Sequence, residues 1–234
     1  SMPAGPTAHL FTGSLGLQLY GGNLANTILN NTANDYSGGT IIGNGSGSTM
    51  TRMLLVSAGT LGAGSPGAVT SGIFGTGPIT MGAATTDKSQ LYFGSTLTVN
   101  YDLVVNSELG TDVPGTFRVE STGVVLAGAI DANLADATFS VNNAAGRTIS
   151  ATGPITGASG VKVLTQGAGG ITVTLSGNNT YNGATTVSGG TLKAGSTAGL
   201  SSNSAVSVAS GATLDLGGYD NTISSLSTST GTIT

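Results

Sequence analysis

Cysteine and tryptophan are both absent from this chain of 234 residues, and charged residues make up only 7% of it. Without cysteine there is no disulfide framework and no thiolate metal site. The formal net charge of −4, with only 6 lysine and arginine residues, speaks against a nucleic-acid partner, because such a partner needs a clustered basic surface. The longest apolar run, at 124–130, is far shorter than the roughly 18 residues of a membrane-spanning helix.

Histidine occurs once, at His9, so a Ser-His-Asp triad could be built only around that residue. The sequence has no Gly-x-Ser-x-Gly nucleophile elbow. The glycines at 43–47 resemble a phosphate-binding loop, but no lysine follows at the required spacing. We therefore predict no enzyme activity and no catalytic, cofactor-binding or metal-binding residues.

What the chain does contain is 40 glycines, abundant serine, threonine and asparagine, and 38% apolar residues, which is enough to bury a core. Short β-branched runs are separated by glycine, asparagine or serine. No stretch free of glycine repeats apolar residues at helical spacing. The pattern predicts a nearly all-β fold of many short strands joined by tight turns.

Internal repetition distinguishes between the all-β folds. Residues 175–196 read LSGNNTYNGATTVSGGTLKAGS, and the upstream segments 34–42 and 57–65 repeat this pattern in diverged form. The two upstream segments are separated by an insertion at 43–56, which the second copy lacks. Repeated β units without helices between them are typical of solenoids rather than sandwiches.

The alignment of the two copies pairs Tyr36 with Tyr181 and Thr60 with Thr191. We predict a right-handed parallel β-helix, in which short strands of successive coils pair with one another. At about 22 residues a coil, near the low end for solenoid repeats, the chain would make roughly ten to eleven coils.

We predict a single elongated unit over residues 1–234. Its parts are N-terminal coils or a cap at 1–28, the diverged repeat with its insertion (43–56) at 29–69, irregular middle coils at 70–160, and the well-matched repeat region at 161–234. The chain opens on Ser1 and Met2 without a basic and then apolar signal peptide, so we expect a fragment of a longer exported protein.

The run LSGNNTYNGATTV at 175–187, closed by GGTL at 189–192, resembles the autotransporter-associated β-strand repeat. The preceding GAGGITVT at 167–174 also fits, and residues 34–65 are a weaker copy. The resemblance implies a passenger segment of a bacterial surface protein, exported across the outer membrane and folded outside as a β-helix. It implies a structural or adhesive surface, with self-association or a host-cell, matrix or glycan ligand, and no nucleic acid or membrane insertion.

A carbohydrate-active β-helix enzyme, a hydrolase or lyase, is the alternative function. Such enzymes use paired carboxylates, or calcium with a basic residue, on one outer face. Acidic residues are concentrated in the middle of this chain, together with Arg118. The acidic residues in question are Asp102, Glu108, Asp112, Glu120, Asp131 and Asp136. Ordinary solvation of the outer face is the simpler explanation of the same residues.

Three further patterns carry structural expectations. Asn178 or Asn179 is expected to stack on asparagines of adjacent coils as an amide ladder. Tyr36 and Tyr181 are expected to cover turns or the end of the core rather than to hold a ligand. Thr-x-Thr steps such as the one at 172–174 raise ice binding as a third class, but their irregular spacing predicts that the threonines do not form a row in register.

Overall fold

The computed structural model describes residues 12–19, 23–25, 33–43, 50–55, 58–107, 115–142, 144–166, 169–228 and 230–234. Within these ranges the chain forms 25 β-strands and no helix. The described part of the chain therefore contains no helix that could span a membrane.

Three parallel sheets contain all but two of the strands. Sheet A consists of β1 (Leu17–Leu19), β3 (Thr40–Ile42), β8 (Ile79–Met81), β11 (Leu103–Val105), β14 (Ile130–Asp131) and β17 (Ile155–Thr156). Sheet B consists of β2 (Asn23–Ala25), β4 (Met50–Leu55), β9 (Lys88–Phe93), β12 (Phe117–Val119), β15 (Ala137–Asn142), β18 (Val161–Gln166), β20 (Thr185–Val187), β22 (Ala205–Val208) and β24 (Ser225–Thr228). Sheet C consists of β5 (Gly59–Leu61), β10 (Leu97–Val99), β13 (Val124–Leu126), β16 (Arg147–Ala151), β19 (Ile171–Leu175), β21 (Thr191–Ala194), β23 (Thr213–Asp215) and β25 (Thr232–Ile233).

The chain passes through sheets A, B and C in turn, so each strand bonds to strands of the preceding and following turns. This arrangement is a parallel β-solenoid of about 8 turns, which confirms the predicted fold class. Ten to eleven coils were too many because most turns are longer than 22 residues, as where Leu103 pairs with Ile130, 27 positions later, and one is unusually long: Thr40 pairs with Ile79, 39 positions later. That turn carries an antiparallel hairpin of β6 (Ala63–Ser65) and β7 (Ala68–Ser71) outside the three sheets.

The core lies between the three sheets and is built from the inward positions of the short strands. In β12, Phe117 and Val119 are buried while Arg118 between them reaches the outer surface. Inward residues of successive turns stack in register, as Leu91 does on Phe117 and Phe117 on Phe139. The two phenylalanine rings have centroids 5.2 Å apart. Each turn therefore buries its apolar face only against its neighbours, as in other solenoids.

The two sequence copies occupy different positions in this frame. Thr60 and Thr191 both lie in sheet C, as the alignment requires, but Thr40 begins β3 of sheet A whereas Thr185 begins β20 of sheet B. The insertion at 43–56 explains the difference, because it contains the whole of β4, an alternating strand that pairs with β9. Residues 44–49 and 56 of that insertion lie outside the described residues.

The same local contact is nevertheless found in both copies. Tyr36 and Tyr181 are buried, and each phenol oxygen lies within hydrogen-bond distance of the threonine hydroxyl four residues later, 2.6 Å to Thr40 and 2.7 Å to Thr185. Burial raises the pKa of both phenols above the ordinary value of 10.0. The expectation that these tyrosines are structural is confirmed.

Sheet A has no strand after β17 among the described residues, and the later turns pass this side as loops. Asn179 closes the first loop with its side chain: Oδ1 accepts from the Ile155 N–H at 2.7 Å, and Nδ2 donates to the Gly199 carbonyl at 2.7 Å. Asn221 does the same one turn later, accepting from the Leu200 N–H at 2.9 Å. Single amides thus supplement the main-chain hydrogen bonds that remain on this side, such as the one from the Thr180 N–H to the Ile155 carbonyl at 2.9 Å.

The amide ladder predicted at Asn178 or Asn179 is wrong, because the Asn179 amide bonds to main-chain groups of other turns. Stacked amides occur instead at exposed turn positions. Nδ2 of Asn203 donates to Oδ1 of Asn182 at 3.1 Å, and an equivalent pair joins Asn133 to Asn106 at 3.0 Å. The sequence does not distinguish these asparagines from Asn179, since all lie within two positions of glycine, serine or alanine.

Candidate functional site

The acidic residues of the middle region were the strongest candidates for chemistry, and the structure uses them to hold turns together. Oδ1 of Asp102 accepts from the Ala129 N–H at 2.7 Å, and Oδ1 of Asp136 accepts from the Gly160 N–H at 2.6 Å. Asp136 also pairs with Lys162 at 3.0 Å. Each carboxylate therefore satisfies a main-chain donor of the following turn.

Glu120 has a similar structural role. One of its carboxylate oxygens accepts from Nε of Arg118 at 2.8 Å and from the Asn142 N–H at 3.3 Å. Asp131 lies on the outer face of sheet A, where its strand neighbours are Val104 and Thr156 rather than other acids. Glu108 and Asp112 lie outside the described residues, as does His9.

The four described acids are divided between two sheets. Asp102 precedes β11 of sheet A, Asp131 lies within sheet A, Asp136 precedes β15 of sheet B, and Glu120 follows β12 of sheet B. The contacts of Asp102, Asp136 and Glu120 are with main-chain N–H groups, Lys162 and Arg118 rather than with a second carboxylate, which a glycoside hydrolase would need. The described residues also contain no group of three or more potential metal ligands. The enzyme alternative is therefore not supported.

A cluster that sequence reasoning missed lies on the outer face of sheet B. The guanidinium groups of Arg52 and Arg118 lie 5.7 Å and 5.3 Å from the centroid of the Tyr92 ring, and Nε of Arg52 donates to Gln90 Oε1 at 2.5 Å. Burial, helped by the nearby Arg118 charge, lowers the pKa of Arg52. Cation–π contacts of this kind stabilise the packing of outward side chains from successive turns. The alternation of each strand was visible in the sequence, but the register that joins them was not.

A threonine row on the outer face of sheet C is the second feature that sequence reasoning missed. Five threonines of successive turns pair in register: Thr148, Thr172, Thr191, Thr213 and Thr232. Their sequence separations of 24, 19, 22 and 19 residues are irregular. Each separation equals the length of the turn that joins the two paired strands, so the threonines remain in register. The prediction that no row forms in register is therefore wrong.

A second line of outward side chains, called the column, lies two residues further along each strand of sheet C and is less uniform. It runs through Ser150, Thr174, Lys193 and Asp215. The last two form an ion pair at 3.0 Å with side chains 43% and 28% exposed, and the hydrogen bond from Lys193 lowers the pKa of Asp215. A lattice of threonine pairs, which would favour ice binding, is interrupted by these charges. Within the described residues the threonine row is the most regular outward surface of the solenoid.

A family profile described as the passenger-associated transport repeat matches residues 25–46 and 166–194. These two matches fit an autotransporter passenger with a β-solenoid fold. The second match contains the run at 175–187, and the first contains Tyr36 but not the upstream segment 57–65. No curated protein and no solved structure matches the chain.

The geometry explains why the two copies of the passenger repeat in this chain share a tyrosine and a glycine two positions later. In each, glycine follows the tyrosine by two positions, at Gly38 and Gly183, and a side chain there would run into the main chain of the preceding turn. The tyrosine fills the core beside this close approach, and its hydroxyl contacts the threonine at the start of the next strand. The repeat thus specifies how one turn stacks on another.

Proposed function

We propose that this segment is a rigid, non-enzymatic part of an autotransporter passenger, exported across the outer membrane to the bacterial surface, where it mediates adhesion by self-association. The passenger repeats and the β-solenoid support the location. The regular outer surface supports the role: Asp102 and Asp136 are committed to main-chain contacts, while outward side chains of sheet C repeat turn after turn.

Low charge supports self-association in preference to a charged ligand. Charged residues make up 7% of the chain and the net charge is only −4, so two copies repel each other weakly. A long row of similar side chains offers many identical contacts without a pocket, which suits a surface that meets a copy of itself. Host-cell, matrix or glycan ligands are the other partners that the repeat family suggests. They become the alternative if the test below finds no self-association.

Sedimentation velocity over a wide concentration range, at low and high salt, tests the proposal. We expect concentration-dependent association that depends weakly on salt, because few charges take part. The control variant is Leu226→Lys with Ile233→Lys. These inward-facing residues of the last turn are 48% and 39% exposed, and lysine there blocks end-to-end stacking.

Association through side surfaces survives in this control, whereas end stacking does not. A chain that stays monomeric to high micromolar concentration contradicts self-association. Adhesion would then require a different ligand, and the segment would be a spacer for another part of the passenger.

A further inference from the structure

We propose that the outer face of sheet C from β16 to β25 is the surface through which two copies associate, side by side and antiparallel. This face, called the threonine face below, consists of the row Thr148, Thr172, Thr191, Thr213 and Thr232 and the column Ser150, Thr174, Lys193 and Asp215. The inference rests on the proposed self-association and adds the surface, the partner and the orientation.

The central hydroxyls of the threonine face are available for a partner. Thr172, Thr191 and Thr213 are partly exposed, and no hydrogen bond joins their hydroxyls to another described residue. At the end of the row, by contrast, the Thr148 hydroxyl accepts from the Gly123 N–H at 2.7 Å. Threonine is stiff at χ1, so its side chain loses little conformational entropy when another surface covers it.

The spacing of the row favours a second copy over an unrelated protein. Adjacent strands in a sheet lie about 4.8 Å apart, so the threonines repeat at about that distance along the solenoid. A second copy presents the same repeat, and its methyl and hydroxyl groups can therefore fit between those of the first over several turns. Matched rows of identical side chains form the dry interfaces of stacked β structures.

The charges next to the row select the orientation. Lys193 and Asp215 are neighbours in one column, one turn apart, and they are the only charged residues among the outward positions named for this face. When two copies face each other antiparallel about a twofold axis between β21 and β23, Lys193 of each copy lies opposite Asp215 of the other. A parallel arrangement brings like charges level with each other, which is unfavourable. An isologous, closed pair follows from the antiparallel choice.

The first test compares arginine substitutions on two faces of the same turn. Thr191→Arg places a long charged side chain in the centre of the threonine face. Thr186→Arg makes the same change in β20, on the outer face of sheet B, where Thr186 pairs with Lys162 and Ser207. In sedimentation velocity we expect Thr191→Arg to weaken association at least about tenfold, an effect typical of one disrupted central contact, and Thr186→Arg to leave it unchanged.

The second test exchanges the charges. Lys193→Asp alone and Asp215→Lys alone each give a face with two like charges, and antiparallel pairing then sets like charge against like. We expect each variant to associate more weakly than the parent chain. An equimolar mixture restores association, because the two variants are complementary to each other in the antiparallel arrangement. Circular dichroism of each variant checks that the β-fold is retained.

The outcomes separate the two proposals. If the unsubstituted chain associates but all of these variants associate equally well, self-association stands and the threonine face is wrong. If the arginine test succeeds but the mixture does not recover, Lys193 and Asp215 do not face charged groups of the other copy, and the charge argument for the antiparallel orientation is overturned. If the unsubstituted chain remains monomeric at high micromolar concentration, the proposed function and the threonine face both fail.

Discussion

The middle turns and the last turns of the solenoid enclose the same kind of core by different means. Between β8 and β17, the third side of each turn is a strand of sheet A, as where Leu103 pairs with Ile79 on one side and Ile130 on the other. After β17 that side is a loop, and Asn179 and Asn221 bond the loops to neighbouring turns. Side-chain amides therefore add to a smaller number of main-chain hydrogen bonds on this side of the last turns.

The difference also changes the length of the turn. Leu103 pairs with Ile130 at a separation of 27 residues, whereas Thr172 pairs with Thr191 at a separation of 19. The shorter turns contain no inserted segments, and their outward side chains form the threonine face with few changes of residue type. The longer turns carry the hairpin, the charged cluster on sheet B and most of the described acids. The regular outward face thus lies in the part of the chain that contains the second passenger-repeat match, at 166–194.

Removing the close approach between turns should give the largest effect. At Gly183 a Cβ atom would meet the main chain of Gly160 and Ser159, so Gly183→Ala forces two turns apart. We expect a loss of about 3 kcal/mol of unfolding free energy, at the upper end for overpacking. Gly170→Ala is the matched control, because the nearest atom to its Cβ is 3.8 Å away. Urea unfolding followed by circular dichroism measures both.

Equal urea midpoints for Gly183→Ala and Gly170→Ala would contradict this account of the repeat. Gly38→Ala extends the comparison to the first copy. There a Cβ atom would meet the main chain of Gly16 and Leu15, so we expect the same direction of change.

The passenger repeat could be located from the sequence because its landmarks are local. Tyr181 and Gly183 lie within one short run, and turn residues around that run act on the backbone without reference to distant strands. The all-β fold and the solenoid follow from the same local information. The structural role of Tyr36 and Tyr181 was also accessible, since large aromatic side chains in such a chain belong to the core.

Contacts between turns could not be predicted, because they depend on the exact length of every turn. Thr191 and Thr213 are 22 residues apart, but Thr172 and Thr191 are only 19 apart, so a regular repeat of about 22 residues places Thr172 out of register with the other two. The Arg52–Tyr92 contact spans the turn that carries the β6–β7 hairpin. One insertion of unknown size in the sequence is enough to lose such a register.

Breaking the amide closure should give the next largest effect, and it should act only on the last turns. Asn179→Ala leaves the Ile155 N–H and the Gly199 carbonyl without their partner in a buried place, which we expect to cost about 2–3 kcal/mol. Asn178→Ala is the matched control, since that neighbouring side chain is exposed. Urea midpoints of the two variants give the comparison.

Asn221→Ala refines the same test. Asn221 is only partly buried, and water can replace part of what its amide provides, so we expect a smaller loss than at Asn179. A loss at Asn178 as large as that at Asn179 would show that the loop conformation, rather than the amide bonds, closes this side.

Alkaline pH should weaken both copies of the repeat. Burial raises the pKa of Tyr36 and Tyr181 above 10.0, so the folded chain keeps its phenolic protons more tightly than the unfolded chain does. The resulting stability is complete below pH 10 and declines as the pH rises towards the folded pKa. We expect the thermal midpoint to fall steeply between about pH 10 and 12, where the unfolded tyrosines ionise.

Tyrosine-to-phenylalanine variants identify the groups responsible for this alkaline decline. Tyr181→Phe should lower the midpoint at pH 7, by the loss of a hydrogen bond worth about 1 kcal/mol, and should make the decline above pH 10 shallower. Tyr219→Phe is the control, because Tyr219 is 41% exposed. An unchanged alkaline slope in Tyr181→Phe would mean that other groups control unfolding at high pH.

Acid pH should give the smallest effect, and it concerns the ion pair beside the threonine row. The hydrogen bond from Lys193, together with one from the Gly217 N–H, lowers the pKa of Asp215 below its ordinary value of 3.8. The folded chain therefore holds this carboxylate ionised more readily than the unfolded chain, so its contribution to stability is present above pH 3.8 and is lost as the pH falls through the folded pKa. Exposed ion pairs contribute little, since solvent and salt screen them. Asp215→Asn should thus lie slightly below the parent chain in thermal midpoint at pH 6, and the two should converge below pH 3. The measurement belongs at low protein concentration, where association does not add to the midpoint, and a gap that widens towards acid pH would contradict the assigned direction of the pKa shift.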